Sequence, residues 1–188
     1  MSGKMVLETG RLLLREYVAG DAAATFELGS NAEVQRYTRD PLLTSIDQAQ
    51  EMLLRHPIAD YRKHGFGRWA VVCKADGRLI GFAGLKYLDE LREVDVGYRL
   101  LPEYWGRGLA TEAVRASVQY GFETLKLSRI IGLVDPENTR SVRVLEKSGL
   151  AFEKMIDYGS HQVALYAIHN DSARQALRAA RQATPPSS

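Results

Sequence analysis

A single cysteine among 188 residues, Cys73, rules out an internal disulfide and fits a reducing compartment. It reads as a buried strand residue rather than a nucleophile. Net charge is nearly absent as well. The 25 Lys and Arg against 23 Asp and Glu leave +2 at pH 7, too little to recruit nucleic acid. The arginines near the end, Arg174, Arg178 and Arg181, read as one solvated helix face. No apolar run reaches the roughly 20 residues of a membrane span, and the first residues lack a signal-type apolar core. No membrane partner is expected, and the expected location is cytoplasmic. The four histidines, His56, His64, His161 and His169, keep no ligand spacing with cysteine or carboxylates, so no metal is expected. There is no internal repeat.

What is present is the composition of one soluble domain, 45% apolar and 26% charged, long enough for a substantial core. The domain is expected over 1–170, followed by a helix over 171–183 and a disordered tail over 184–188. The most informative stretch runs from Glu93 to Phe122. Glu93–Leu101 is rich in β-branched and aromatic residues, and Pro102, which lacks a ladder donor, ends the strand. From Ala110 the apolar positions recur at helical spacing, with Glu112 in the first turn, where it complements the helix dipole. Between them lies Trp105-Gly106-Arg107-Gly108-Leu109-Ala110. Two glycines free the backbone to turn so that successive N–H groups point at one anion, a position that suits a pyrophosphate. A tight strand-to-helix turn explains the loop equally well on its own. It is not a P-loop, having no Gly-Lys-Ser/Thr ending, and Thr111 stands where a dinucleotide fingerprint wants its third small residue.

The remaining elements follow from local signals. Met5–Tyr17 reads as a strand centred on Leu12-Leu13-Leu14. Asp21 caps a short helix through Leu28, and Ser45–Gln48 has capping-box spacing ahead of a helix interrupted at Pro57. Residues 37–43 read as loop. Arg68–Lys74 and Leu79–Leu88 are strands around an Asp76-Gly77 hairpin turn. Ser128–Val134 is a further strand, Asn138–Ser148 a helix ended by Gly149, and Leu150–Ile156 with Gln162–Ile168 a closing hairpin. An antiparallel meander followed by strand–helix units is an α+β (mixed α/β) arrangement, not a doubly wound parallel sheet.

The loop gains company at Asn138-Thr139-Arg140-Ser141-Val142-Arg143-Val144-Leu145-Glu146-Lys147-Ser148-Gly149. Tyr104–Ala113 followed by N-x-x-S-x-x-V-L-E-K-x-G resembles the GNAT superfamily of N-acetyltransferases. Within it, Leu7–Arg15 (an L-x-T-x-R-L-x-L-R pattern) and Asp95-Val96-Gly97-Tyr98 are similar to the RimJ/RimL-like branch, which acetylates the N-termini of ribosomal proteins. The resemblance spans about Val6 to Ile168. It implies a mainly antiparallel central sheet of six to seven strands, splayed after the fourth and flanked by helices. It also implies acetyl-coenzyme A as cofactor and an amine as acceptor, joined by direct attack in a ternary complex.

Carried over residue by residue, the resemblance puts the pyrophosphate on Gly106, Arg107, Gly108, Leu109, Ala110 and Thr111. The pantetheine arm falls on the main chain of Leu100 and Leu101 and on Asn138, whose plainer reading is a helix cap. Trp105 stands where the wider superfamily prefers Gln or Arg, a subfamily trait. Asp95 occupies the position usually held by Glu in an E-x-G-Y pattern, and Glu93 lies two residues earlier on the same strand face. Either could take the amine proton, or each could be a paired surface carboxylate. Leu145 replaces the tyrosine that usually protonates the thiolate, so Ser141, one turn past Asn138, becomes the candidate donor. Tyr37, Trp69 and Tyr104 either flank an acceptor groove or belong to the core. The acceptor expected is a protein N-terminal α-amine. A small amine (polyamine, amino acid or antibiotic) and a non-catalytic acyl-coenzyme A module are the alternatives. Monomer and homodimer both stay open.

Overall fold

The computed structural model describes residues 3–38, 40–159 and 161–171. The helix and tail expected over 171–183 and 184–188 therefore lie outside the described residues, apart from Asp171 itself. Eight strands form one sheet in the order β1-β2-β3-β4-β5-β6-β8-β7. They are β1 (Met5–Glu8), β2 (Leu12–Arg15), β3 (Arg68–Cys73), β4 (Leu79–Leu88), β5 (Glu93–Leu100), β6 (Arg129–Val134), β7 (Ala151–Tyr158) and β8 (His161–His169). Every neighbouring pair is antiparallel except β5 and β6. The expected fold class holds, with one strand more than the six to seven anticipated. The extra strand comes from Met5–Tyr17, which folds back on itself. The Thr9 N–H donates to the Leu12 carbonyl (2.9 Å) and the Leu12 N–H to Thr9 Oγ1 (3.0 Å), closing a turn inside a run that periodicity reads as continuous.

Four helices precede β3 or lie between β2 and β3: α1 (Ala22–Gly29), α2 (Ala32–Gln35), α3 (Ile46–Arg55) and α4 (Pro57–His64). Pro57 opens α4 at its first position, where a missing N–H costs nothing. α5 (Leu109–Glu123) and α6 (Thr139–Lys147) cover one face of the sheet. There Leu109, Ala113, Val114, Val118 and Phe122 of α5 pack with Val94, Val96 and Leu100 of β5 and Ile130 of β6. Burying each large side chain contributes about 1.5–3 kcal/mol. Trp69 and Tyr104 belong to this core at 1% and 5% exposure rather than to a groove, and Cys73 is buried in β3. Among the described residues no helix is long and apolar enough to cross a membrane.

The feature that positions the site is the junction of β5 with β6. Their parallel ladder is registered only at Asp95 and Ile131, while β5 stays paired with β4 along its whole length. Beyond Asp95 the edge of β5 that faces β6 has no strand partner. The fork is clamped by a side chain. Asp95 Oδ1 accepts the N–H of Leu133 on β6 (3.0 Å), and Oδ2 pairs with the guanidinium of Arg68 on β3. Arg68 also donates to the carbonyls of Asp95 (2.8 Å) and Gly84. Its guanidinium lies against Gly97, where an added Cβ would stand 2.5 Å from Nη2. Gly97 is thus needed for space.

Asp95 is buried, which pushes its carboxyl up from the usual range, against the pull of Arg68 and the Leu133 N–H. Removing Arg68 strengthens the upward push. Arg68→Ala leaves a buried carboxylate without its cation and is expected to lower stability by about 3 kcal/mol at neutral pH. A carboxyl whose folded pKa is raised favours the folded state as protons are added. The deficit therefore shrinks as pH falls through the raised pKa of Asp95. Urea unfolding of both proteins at neutral and mildly acidic pH checks this, and an unchanged deficit at the two pH values would contradict it.

Candidate active site

Gly106 and Gly108 sit at φ 74° and 76°, backbone that L side chains rarely adopt, and nothing stands within 4 Å of a Cβ built on Gly106. The chain turns there from β5 into α5. The first helical N–H to find a carbonyl is that of Glu112, on Gly108 (3.1 Å). The N–H groups of Leu109, Ala110 and Thr111 precede it and have no intrahelical acceptor, the usual condition of a first turn. With the exposed Gly106, Arg107 and Gly108 they form one donor-rich rim.

That rim is braced from the other end of the chain. Glu112 accepts from Thr9 Oγ1 (2.6 Å), from the Arg11 N–H (2.9 Å) and from Arg11 Nε (2.7 Å). Arg11 Nη1 then donates to the carbonyl of Arg107 (2.8 Å). Partial burial alone would raise the Glu112 carboxyl, but the bonds from Thr9 and Arg11 outweigh it and hold it below the ordinary carboxylate value. The T-x-R pattern of the β1–β2 turn thus fixes the loop, turning a carbonyl inward so that N–H groups are left outward. Sequence spacing carries no sign of this, since the partners are 101 positions apart.

Along the open edge of β5 the strand alternation decides which main-chain groups are free. The Leu101 N–H donates to Ile80 (2.8 Å) on β4, and its carbonyl accepts from Tyr104 (3.0 Å). With that parity, Tyr98 and Leu100 direct their main chain toward the gap. Of the two residues expected to meet the pantetheine, Leu100 faces the gap and Leu101 is engaged elsewhere. The carbonyl of Leu100 also accepts from Trp105 Nε1 (2.7 Å), which fixes the indole at the end of the strand.

Across the gap, Asn138 caps α6 by accepting the Ser141 N–H on Oδ1 (3.1 Å). Its plain role as a cap is therefore real, and its amide NH2 has no acceptor among the described residues. Ser141 Oγ lies 3.0 Å from Tyr98 Oη. The motif Asp95-Val96-Gly97-Tyr98 gives Tyr98 no role by itself, although alternation puts it on the face opposite Asp95. Burial raises its pKa, partly offset by Ser141, so its hydroxyl stays protonated. Two hydroxyls share one hydrogen bond here, and one hydroxyl proton is left for an outside acceptor.

The carboxylates lie on the other face of β5. Asp95 is 7% exposed with both oxygens engaged, as described for the fork. Glu93 is tied to Arg129 Nε (3.0 Å), which also pairs with Glu153 (2.7 Å), at the end of β5 away from the loop. Tyr158, at the end of β7, packs in the cluster that holds Ile131 and Leu133 of β6, and burial is the first cause of its raised pKa.

Loop, open strand edge and free amide offer donors and acceptors of the kind that the phosphates and amides of coenzyme A would need. Arg11→Ala frees the Arg107 carbonyl and slackens the rim. It is expected to weaken coenzyme A binding about fivefold, the cost of ordering the loop on binding, with little change in urea midpoint. Calorimetric titration decides, and an unchanged dissociation constant would mean that the loop holds its shape without Arg11.

The family model described as "Acetyltransferase (GNAT) domain" matches residues 11–151. The N-acetyltransferase YoaA of Bacillus subtilis is 38% identical over 152 residues, 80% of this chain and 85% of YoaA. The spermidine N(1)-acetyltransferase of Escherichia coli K12 is 28% identical over 141 residues, 74% of this chain and 73% of its own. In structure, RimL, a ribosomal L7/L12 α-N-protein acetyltransferase solved with coenzyme A, superposes with a TM-score of 0.77 at 17% identity, over 90% of this chain and 99% of RimL. That last likeness is one of fold. The glycine loop on α5, the forked sheet and these relatives place the chain in the GNAT superfamily, as an acetyl-coenzyme A-dependent N-acetyltransferase.

Proposed function

We propose that the chain acetylates the α-amine of a protein or peptide N-terminus, as a member of the RimJ/RimL-like branch. The observation that carries this reading is the charge balance of the acceptor face. The carboxylates that β5 presents there are each ion-paired, Asp95 with Arg68 and Glu93 with Arg129, which Glu153 shares. Asp89, just before the strand, pairs with Lys63, and Asp40 with Arg99, which also binds Gln35 (2.7 Å). A polycation gains less from carboxylates already held in ion pairs. A peptide terminus brings one amine and needs no such field.

Acetyl-coenzyme A supplies a thioester open to attack by a neutral amine, and a thiolate that needs a proton. The rim of Gly106–Thr111 holds its phosphates, and Tyr98, Leu100 and Asn138 hold its amides. An α-amine with pKa near 8 is about a tenth neutral at pH 7, so a modest base is enough. Asp95 fills that role through water: burial makes its carboxylate a better proton acceptor than an exposed one. Glu93, bound in the Arg129 cluster, holds the far end of β5. On the opposite face Ser141 donates to the sulfur and is resupplied by Tyr98, which together stand in for the tyrosine absent at Leu145.

The test is mass-spectrometric detection of acetylated products from a panel of N-terminal peptides, lysine peptides and spermidine. Acetylation confined to peptide α-amines is the expected result. The relationship to a spermidine acetyltransferase favours a small-amine reading, and transfer to spermidine alone would replace the first reading with it. With the productive acceptor in hand, Ser141→Ala and Tyr98→Phe are each expected to lower kcat about 10²-fold, the usual worth of a positioned proton donor. Affinity for coenzyme A should stay within about threefold, since neither change removes a main-chain contact. Full activity in both variants would remove the hydroxyl pair from the reaction.

A further inference from the structure

We propose that Arg140, seated on the indole of Trp105, supplies the cation that grips the phosphates of coenzyme A at the mouth of the groove. The proposal rests on the cofactor site described above and adds a residue from α6 to it. Position 105 holds a tryptophan, so the loop carries no cationic or amide side chain there. The loop's own arginine makes a contact of the same kind on the far side of the loop: the Arg107 guanidinium lies over the ring of Tyr104 (5.4 Å), whose hydroxyl donates to Asp76 (2.6 Å) at the β3–β4 turn. Arg140 comes from the other side of the gap. Its Cζ stands 5.7 Å from the centre of the Trp105 ring. That ring is itself fixed by its bond to the Leu100 carbonyl and immediately precedes Gly106.

Two features of Arg140 call for a negative partner. It stands in the first turn of α6, where the helix dipole works against a cation. Among the described residues it also has no carboxylate within ion-pair distance. The aromatic face holds an exposed guanidinium without neutralising it. Trp105 therefore acts as a platform. It leaves the charge intact and holds it beside a ring whose residue adjoins Gly106, where the rim of N–H groups begins. A planar guanidinium meets two phosphate oxygens at once, which a point charge does not.

Titration calorimetry with coenzyme A separates the possibilities without any acceptor. Arg140→Ala should weaken binding about tenfold at low salt, and the gap should shrink at about 1 M NaCl, where exposed charges are screened. Arg140→Lys should recover part of the loss. Trp105→Leu should weaken binding too, and adding Arg140→Ala to it should cost less than it does in the parent chain, because the two act as one unit. The idea fails if Arg140→Ala binds as the parent does, if its deficit is the same at both salt concentrations, or if the two substitutions add. A parent chain that binds no coenzyme A would sink the cofactor site first and this inference with it.

Discussion

The architecture depends on a strand pair that stops pairing. β5 and β6 start side by side, meet at Asp95 and Ile131, and then part. Separating strands leaves main-chain N–H and C=O groups without partners, a cost that a closed sheet never meets. The parting survives because one carboxylate spans it. Asp95 takes the Leu133 N–H that a ladder would otherwise satisfy, and Arg68 makes its burial bearable. Gly97 follows from that requirement, since the guanidinium fills the space where any larger residue would put its Cβ. The motif D-x-G-Y thus has a mechanical meaning: clamp, clearance, and a tyrosine sent to the other face.

Around the fork the two sheet faces divide the chemistry. On the face covered by α5 and α6 stand Tyr98 and Ser141, 3.0 Å apart, the hydroxyl pair proposed above to serve the departing thiolate. On the opposite face stands Asp95, the base of the same proposal. Under that proposal a thioester in the gap would be reached from both sides, and proton removal and proton delivery would not compete for one pocket. The position of the loop is set by a hairpin at the start of the chain, through Thr9, Arg11 and Glu112.

Local features were legible in the sequence, and distant partnerships were not. The strand-loop-helix over Glu93–Phe122, the Asp76-Gly77 hairpin and the cap at Asn138 each depend on residues within a few positions, where propensity and spacing act directly. Leu12-Leu13-Leu14 concealed a turn, because three consecutive leucines carry no alternation to mark the fold-back at Thr9. Leu101 reads like Leu100 from sequence because position alone does not reveal which way an N–H points; parity within the β4–β5 ladder does. Arg68 could not be found at all from its neighbours. Its partner lies 27 positions on, and nothing in Arg68-Trp69-Ala70 distinguishes an arginine that clamps a fork from one at a strand edge. The pairing of Arg11 with Glu112 and of Arg140 with Trp105 escaped for the same reason.

The same long-range pairing bears on what the acceptor can be. Superfamily motifs describe the cofactor half of the site, and they leave the amine unspecified. On the acceptor half, the relevant quantity is not how many acids are present but how many are still charged toward solvent. Asp95 and Glu93 read from sequence as two carboxylates on one strand face. In the fold each is committed to an arginine, and Arg99 on the same face adds a further cation bound to Asp40 and Gln35. Discrimination between a peptide terminus and a polyamine then falls to shape and to the ionisation of the amine. On the proposed reading the α-amine has the advantage that a larger share of it is neutral at physiological pH, which asks less of a buried carboxylate already leaning on Arg68.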